Sequence, residues 1–136
     1  PSNIQSLRFI AVEGKTDHLE IIKTVAPGFP GEATAAIVVC SDERAAKSFK
    51  GKTKEIFCIE EAAAAAQNIC LLATAKNIGT CYVGSFSTQG IKQAFKIPEE
   101  VKPILIIALG YPDPARPADV PARHKPEDVI HWNNWG

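Results

Sequence analysis

The chain predicts a layered domain of the α/β or α+β class, on three observations. Two short apolar runs, residues 35–40 and 103–109, contain no polar break and read as strands buried on both faces. Residues 60–77 repeat alanine and larger apolar side chains at helical spacing. Glycine- and proline-bearing loops separate these elements, so strands and helices alternate around one sheet.

The elements follow in chain order. Residues 7–12 form a strand, because Phe9, Ile10 and Val12 favour extended backbone and Glu13-Gly14-Lys15 ends the run. Thr16 or Asp17 caps a helix over 19–25, with Ile21, Ile22 and Val25 on one side. Pro27-Gly28-Phe29-Pro30-Gly31 is a loop, and the strand over 35–40 follows it. Residues 44–54 are charged and lack a sharp period, which predicts a surface segment, partly helical. In the helix over 60–77, Ala62, Ala65, Ala66, Ile69, Leu72 and Ala73 share a face. Glu60 and Glu61 stand at its positive end and Lys76 at its negative end, and Asn77 and Gly79 supply a left-handed stop. The alanine run at 62–66 makes the helix thin. It suits the centre of the fold or a subunit contact, and a plain core helix accounts for it nearly as well.

Residues 80–83 form a short strand. Ser87 caps a short helix with Ile91, Ala94 and Phe95 inward, which Ile97-Pro98 ends. The strand over 103–109 stops at Gly110-Tyr111-Pro112. Residues 112–126, rich in Pro and Ala, run as an extended surface arm, and residues 129–136 are too apolar for a free tail. Two doubly buried strands need both sheet faces covered. The helices visible here are few for that, so part of the cover is expected from preceding sequence, a partner subunit, or both.

At 136 residues the chain suffices for one domain and one core. Its net charge is zero, which leaves no electrostatic footprint for nucleic acid or an anionic membrane. No apolar run reaches the length of a bilayer span, and the opening Pro1-Ser2-Asn3-Ile4-Gln5 lacks the features of a secretory leader. Cys40, Cys58, Cys70 and Cys81 form no C-x-x-C pair and have no histidine at metal-ligand spacing; they read as buried, reduced thiols of a cytoplasmic protein. The absence of methionine, even at position 1, is expected of a fragment or of a sequence from which methionines have dropped.

Familiar catalytic signatures are missing: there is no G-x-S-x-G, Walker loop, G-x-G-x-x-G or H-E-x-x-H. His18, His124 and His131 are far apart, and His18 reads as a surface residue. The pairs Glu60-Glu61 and Glu99-Glu100 read as solvated charge, since adjacent residues do not face one another. Three stretches stand out. They are the polar turn at Pro1-Ser2-Asn3-Ile4-Gln5, the strand and glycine turn at 77–86, and the basic cluster Arg123-His124-Lys125. A glycine turn at a strand end exposes backbone N–H groups to a flat polar ligand, and a basic cluster on an arm suits a phosphate.

Together these stretches resemble FMN-dependent nitroreductases. Ala65-Ala66-Gln67-Asn68-Ile69-Cys70-Leu71-Leu72-Ala73, followed by Asn77-Ile78-Gly79-Thr80-Cys81-Tyr82-Val83-Gly84-Ser85-Phe86, looks like that family's central helix and next strand. The opening resembles its Pro-Ser-x-x-Asn-x-Gln turn. Ile97-Pro98-Glu99, Leu109-Gly110-Tyr111-Pro112 and residues 125–133 match in order. The Arg-x-Ser-x-Arg element of the family's N-terminal helices is not in this sequence, and Gly84-Ser85 stands where Glu-Gly is frequent.

The resemblance implies a single α+β domain over 1–136, N-terminally incomplete. Its architecture is a three-layer α/β/α stack with a central mixed sheet, in an intertwined homodimer. It implies bound FMN at the dimer interface. Pro1, Ser2, Asn3 and Gln5 of one subunit would meet the flavin held mainly by the other. Tyr82, Val83, Gly84 and Ser85 would run along the ring, with the Gly84 or Ser85 N–H near N5. Arg123, then Lys125, would meet the phosphate. The implied activity is transfer of electrons from NADH or NADPH to a small acceptor, a nitroaromatic or quinone, by ping-pong exchange, with no catalytic side chain and no metal required. Other branches of the fold (reductive dehalogenase, flavin-modifying enzyme) and a non-catalytic flavin-binding domain are the alternatives.

Overall fold

A computed structural model describes residues 2–14, 16–116 and 119–135. Four strands, β1 (Leu7–Glu13), β2 (Ala35–Asp42), β3 (Gly79–Val83) and β4 (Val101–Gly110), lie in the order β1-β2-β4-β3. All three pairings are antiparallel, so the sheet within the described residues contains no parallel strand and the expected mixed sheet is not completed by them. The apolar runs occupy the two central positions, β2 and β4, as their continuous burial requires.

Helices cover both faces. On one side α1 (Asp17–Val25) and α3 (Thr88–Phe95) pack Leu19, Ile22 and Ile91 against Val38, Cys40 and Ile106. On the other, α2 (Gly51–Ala75) lays Ala62, Ala66 and Cys70 on Val39, Leu105 and Ile107. The result is the expected α+β arrangement in three layers. A last short helix, α4 (Pro126–Val129), sits on the exposed C-terminal arm.

Local chemistry sets the boundaries. The Thr16 side chain accepts from Leu19 N–H at the start of α1, and Ser87 does the same for Gly90 N–H at α3. Asn77, with φ of 57°, ends α2: its N–H reaches Thr74 O, and Ile78 N–H reaches back to Ala73 O, closing a Schellman motif. Pro103 is tolerated in β4 because the β2–β4 register shifts beside it and β3 pairs only farther along the strand.

Several expectations need correction. The central helix begins at Gly51, nine positions before residue 60, and takes in residues 51–54, the end of the segment expected to be at the surface and partly helical. Leu72 points outward with 61% exposure; Cys58, Ala62, Ala66, Cys70 and Ala73 form the buried stripe. In α1 the buried pair is Leu19 and Ile22, and Ile21 is exposed. α2 also has the length and mean hydropathy, 1.4 over 18 residues, of a membrane span. Glu60 and Glu61 fall within it, however, and carboxylates inside a bilayer are costly. Its small-residue stripe lies on a sheet. The C-terminal segment lies open, with Trp132 80% and Trp135 88% exposed, where cover was expected.

Candidate functional site

Antiparallel pairing with β4 leaves the other side of β3 as a sheet edge. Successive side chains of β3 point to opposite faces. Val83 enters the core beneath α1 and α3, so only its backbone faces outward. Tyr82 points to the α2 side, where its hydroxyl donates to Gln67 Oε1 at 3.5 Å and the residue is 45% exposed. Burial first, and the nearby Cys70 thiol second, push the phenol above its ordinary range, so it stays a protonated donor.

Immediately beyond β3, Gly84 and Ser85 are exposed. Among the described residues nothing accepts a hydrogen bond from either N–H; the next amide to find a partner is Ser87 N–H, on Val25 O at 2.8 Å. A Cβ at Gly84 would meet nothing within 4 Å, which leaves open space beside the backbone. Two unpaired donors next to a half-exposed aromatic ring form a shelf on which a flat, polar ring can be both stacked and oriented. The backbone chemistry fits an isoalloxazine.

The N-terminal turn is built differently. Pro1 lies outside the described residues. Ser2, Asn3 and Gln5 adopt φ of 52°, 51° and 55°, the left-handed region that side chains other than glycine rarely occupy. The turn is fastened to α2. Gln5 N–H donates to Glu61 Oε1 at 3.2 Å, and Ser6 N–H and Oγ donate to Glu61 Oε2 at 3.0 and 2.7 Å. Burial alone would raise the Glu61 carboxyl, but these hydrogen bonds outweigh it and hold the group below its usual range. Glu61 is therefore not the solvated charge that its neighbour Glu60 suggested.

Arg123 and Lys125 stand on the exposed arm. Arg123 Nη1 donates to its own backbone neighbours, Pro121 O at 3.1 Å and Ala122 O at 3.4 Å, and Lys125 occupies the cap position of α4. No hydrogen bond or ion pair among the described residues joins either cation to the β3 shelf or to the N-terminal turn. Within one chain, then, Tyr82 to Ser85 form one surface, the turn a second and the basic arm a third. A cleft of about 230 Å³ lined by Ala33, Gly79, Cys81 and Tyr111 lies at the opposite end of β3 from the shelf. Among the described residues no trio of His, Cys, Asp or Glu is arranged to hold a metal.

In the sequence Glu61 reads as solvated charge and Gln67 carries no assigned role. Both lie on α2, about 9 Å apart along its axis, and each holds one element of the candidate site. Only the 55-residue separation bridged by the Ser6–Glu61 contact reveals the first.

The nitroreductase family model matches residues 2–111. A protein of Methanothermobacter thermautotrophicus, provisionally named an NADH dehydrogenase/NAD(P)H nitroreductase, is 33% identical over 135 residues, covering 93% of this chain and 64% of its own. An Archaeoglobus fulgidus protein of the same provisional name is 27% identical, covering 98% of this chain and 76% of its own. Among solved structures, B. megaterium NfrA1 superposes with a TM-score of 0.83 at 22% identity, over 99% of this chain and 60% of that one. The NfrA1 nitroreductase of B. subtilis gives 0.82 at 21% identity, over 98% and 59%. The chain thus spans under two thirds of the length of several of its matches.

Proposed function

Since this chain belongs to the nitroreductase family, we propose that it is the larger part of an FMN-dependent oxidoreductase, a homodimer that carries electrons from NADH or NADPH to a small acceptor. The observation that carries this reading is the pair of unpaired N–H groups at Gly84 and Ser85, set at the end of an edge strand beside Tyr82. The names of the two relatives, both NAD(P)H nitroreductases by designation, support the choice of electron donor.

When bound, FMN supplies hydride acceptance and delivery, so no side chain needs to act as acid, base or nucleophile. The residues of this chain bind and orient. The Gly84 and Ser85 amides donate to the ring edge and fix its plane, Tyr82 gives it an apolar wall, and open space beside Gly84 admits a second flat molecule. Arg123, with its two-pronged donor geometry, and Lys125 grip the phosphate. Ser2, Asn3 and Gln5 close the slot from the other copy. Two chains are part of the reading because, among the described residues, no hydrogen bond or ion pair joins the arm, the turn and the shelf within one. The long apolar helix α2 also leaves Ile56, Ile59, Leu71 and Leu72 open to cover by a second copy. Cys40, Cys58 and Cys70 are buried as expected, whereas Cys81 is exposed; an exposed free thiol accords with a cytoplasmic setting.

The test is a pair of substitutions at Ser85. Ser85→Pro removes the N–H, and Ser85→Ala keeps it. Flavin reduction by NAD(P)H is expected to fall by about tenfold or more in the proline variant and to stay near wild type in the alanine variant. Equal rates in two folded variants would remove this amide from the site. Flavin binding with no NAD(P)H oxidation would leave a flavin-binding domain without catalysis.

A further inference from the structure

We infer that Glu61 is a positioning residue for flavin binding: its carboxylate holds the Ser2–Asn3 turn in the shape in which that turn meets the ring. The inference rests on the flavin reading above. In the cleft flanked by Arg8, Arg44 and Lys96, both arginines are already bound by Asp42, and the exposed Cys81 has no partner group that points to a ligand.

The turn is built from strained backbone. Three left-handed residues among the first five, none of them glycine, persist only where surrounding structure over-determines them. The surroundings are identifiable. Ser6 is fully buried and held from two sides: Asp42 N–H donates to its carbonyl at 2.7 Å, and Ser41 Oγ donates to its hydroxyl at 2.8 Å. That hydroxyl passes its own proton donor to Glu61, and the adjacent Gln5 and Ser6 N–H groups converge on the two carboxylate oxygens. Successive amides turned to one side form an anion-binding concavity, and Glu61 fills it from inside the fold. Gln5 reaches this geometry through its positive φ, and the turn hangs directly from it. The chain Ser41–Ser6–Glu61 therefore ties the turn at once to the end of β2 and to the middle of α2. Neither Glu61 oxygen is needed for chemistry; both set where Ser2 and Asn3 stand.

Glu61→Ala removes both acceptors. Glu61→Gln keeps one oxygen but turns an NH2 toward the other donor, so it is expected to fall between alanine and wild type. Glu60→Ala, one residue away on the exposed side, is the control. The readouts are FMN dissociation constant by fluorescence quenching and hydrogen exchange at the Gln5 and Ser6 amides, with thermal unfolding alongside. Expected are a rise in FMN Kd of about tenfold or more in Glu61→Ala, a smaller rise in Glu61→Gln, faster exchange at both amides, and no change in Glu60→Ala. Glu61→Gln decides the matter if the alanine variant does not fold. Wild-type protein that binds FMN while folded Glu61 variants bind it equally well overturns the inference alone. Wild-type protein that binds no FMN overturns the flavin reading and the inference with it.

Discussion

Leu72 offers the most quantitative test of the two-chain reading. It sits on α2 with 61% of its surface open, beside Leu71 at 60%. Complete burial of a leucine side chain contributes about 1.5–3 kcal/mol. With some three fifths still uncovered, about 1–2 kcal/mol per copy remains to be gained on association. A symmetric interface counts each substitution twice, so Leu72→Ser is expected to cost the dimer about 2–4 kcal/mol. At 1.4 kcal/mol per factor of ten, that raises the dimer Kd by roughly 20-fold to several hundredfold. Sedimentation equilibrium across a concentration series reads this directly. The fold of each chain should hold, because Leu72 contributes nothing to the buried stripe. A wild-type chain that sediments as a monomer at micromolar concentration, or a Leu72→Ser chain that dimerises as well as wild type, would refute the reasoning.

Two further tests address the fold that carries the site. The Asp42 carboxylate accepts from Arg44 N–H, Nε and Nη2 and from Arg8 Nη2; the Arg44 hydrogen bond, foremost, holds its pKa down at about 2. A depressed carboxyl contributes stability that is present above its unfolded value and lost as pH falls through the folded one. Urea melts of wild type should therefore weaken between about pH 4 and pH 2, and Asp42→Asn should flatten that limb; an unchanged acid limb would contradict the assignment. Ile106, fully buried under α1 and α3, should lose about 2–5 kcal/mol on substitution by alanine, and a urea midpoint near wild type would show that the layer closes over the cavity.

Much of this fold was legible because local chemistry and tertiary packing agree. β2 and β4 announce themselves as unbroken apolar runs because both of their faces are covered. Thr16, Ser87 and Asn77 mark helix ends with side chains or backbone angles suited to those positions. The start of α2 was not legible. Residues 51–59 mix Lys52, Lys54 and Glu55 with Ile56, Phe57 and Ile59, and a helix that is apolar on several sides has no single period to read. Leu72 was misplaced for the same reason: the stripe that touches the sheet is made of small residues, and the larger leucines face outward. Glu61 was hidden because its partners lie 55 and 56 residues away, and no local pattern separates it from Glu60. The shelf at Gly84 and Ser85 could be suspected from the glycine turn, but the lack of partners for its amides is a property of the sheet edge. Arg123 and Lys125 stand on an exposed arm, and under the proposed two-chain reading their place in the site depends on a second copy that one sequence does not display.

The most direct measurement is a titration of the purified protein with FMN, followed by the visible flavin spectrum and by fluorescence. Saturable uptake of one flavin per chain, with a perturbed yellow chromophore that bleaches on addition of NADH or NADPH, is what the account predicts. Protein that remains colourless after excess FMN and dialysis would contradict it.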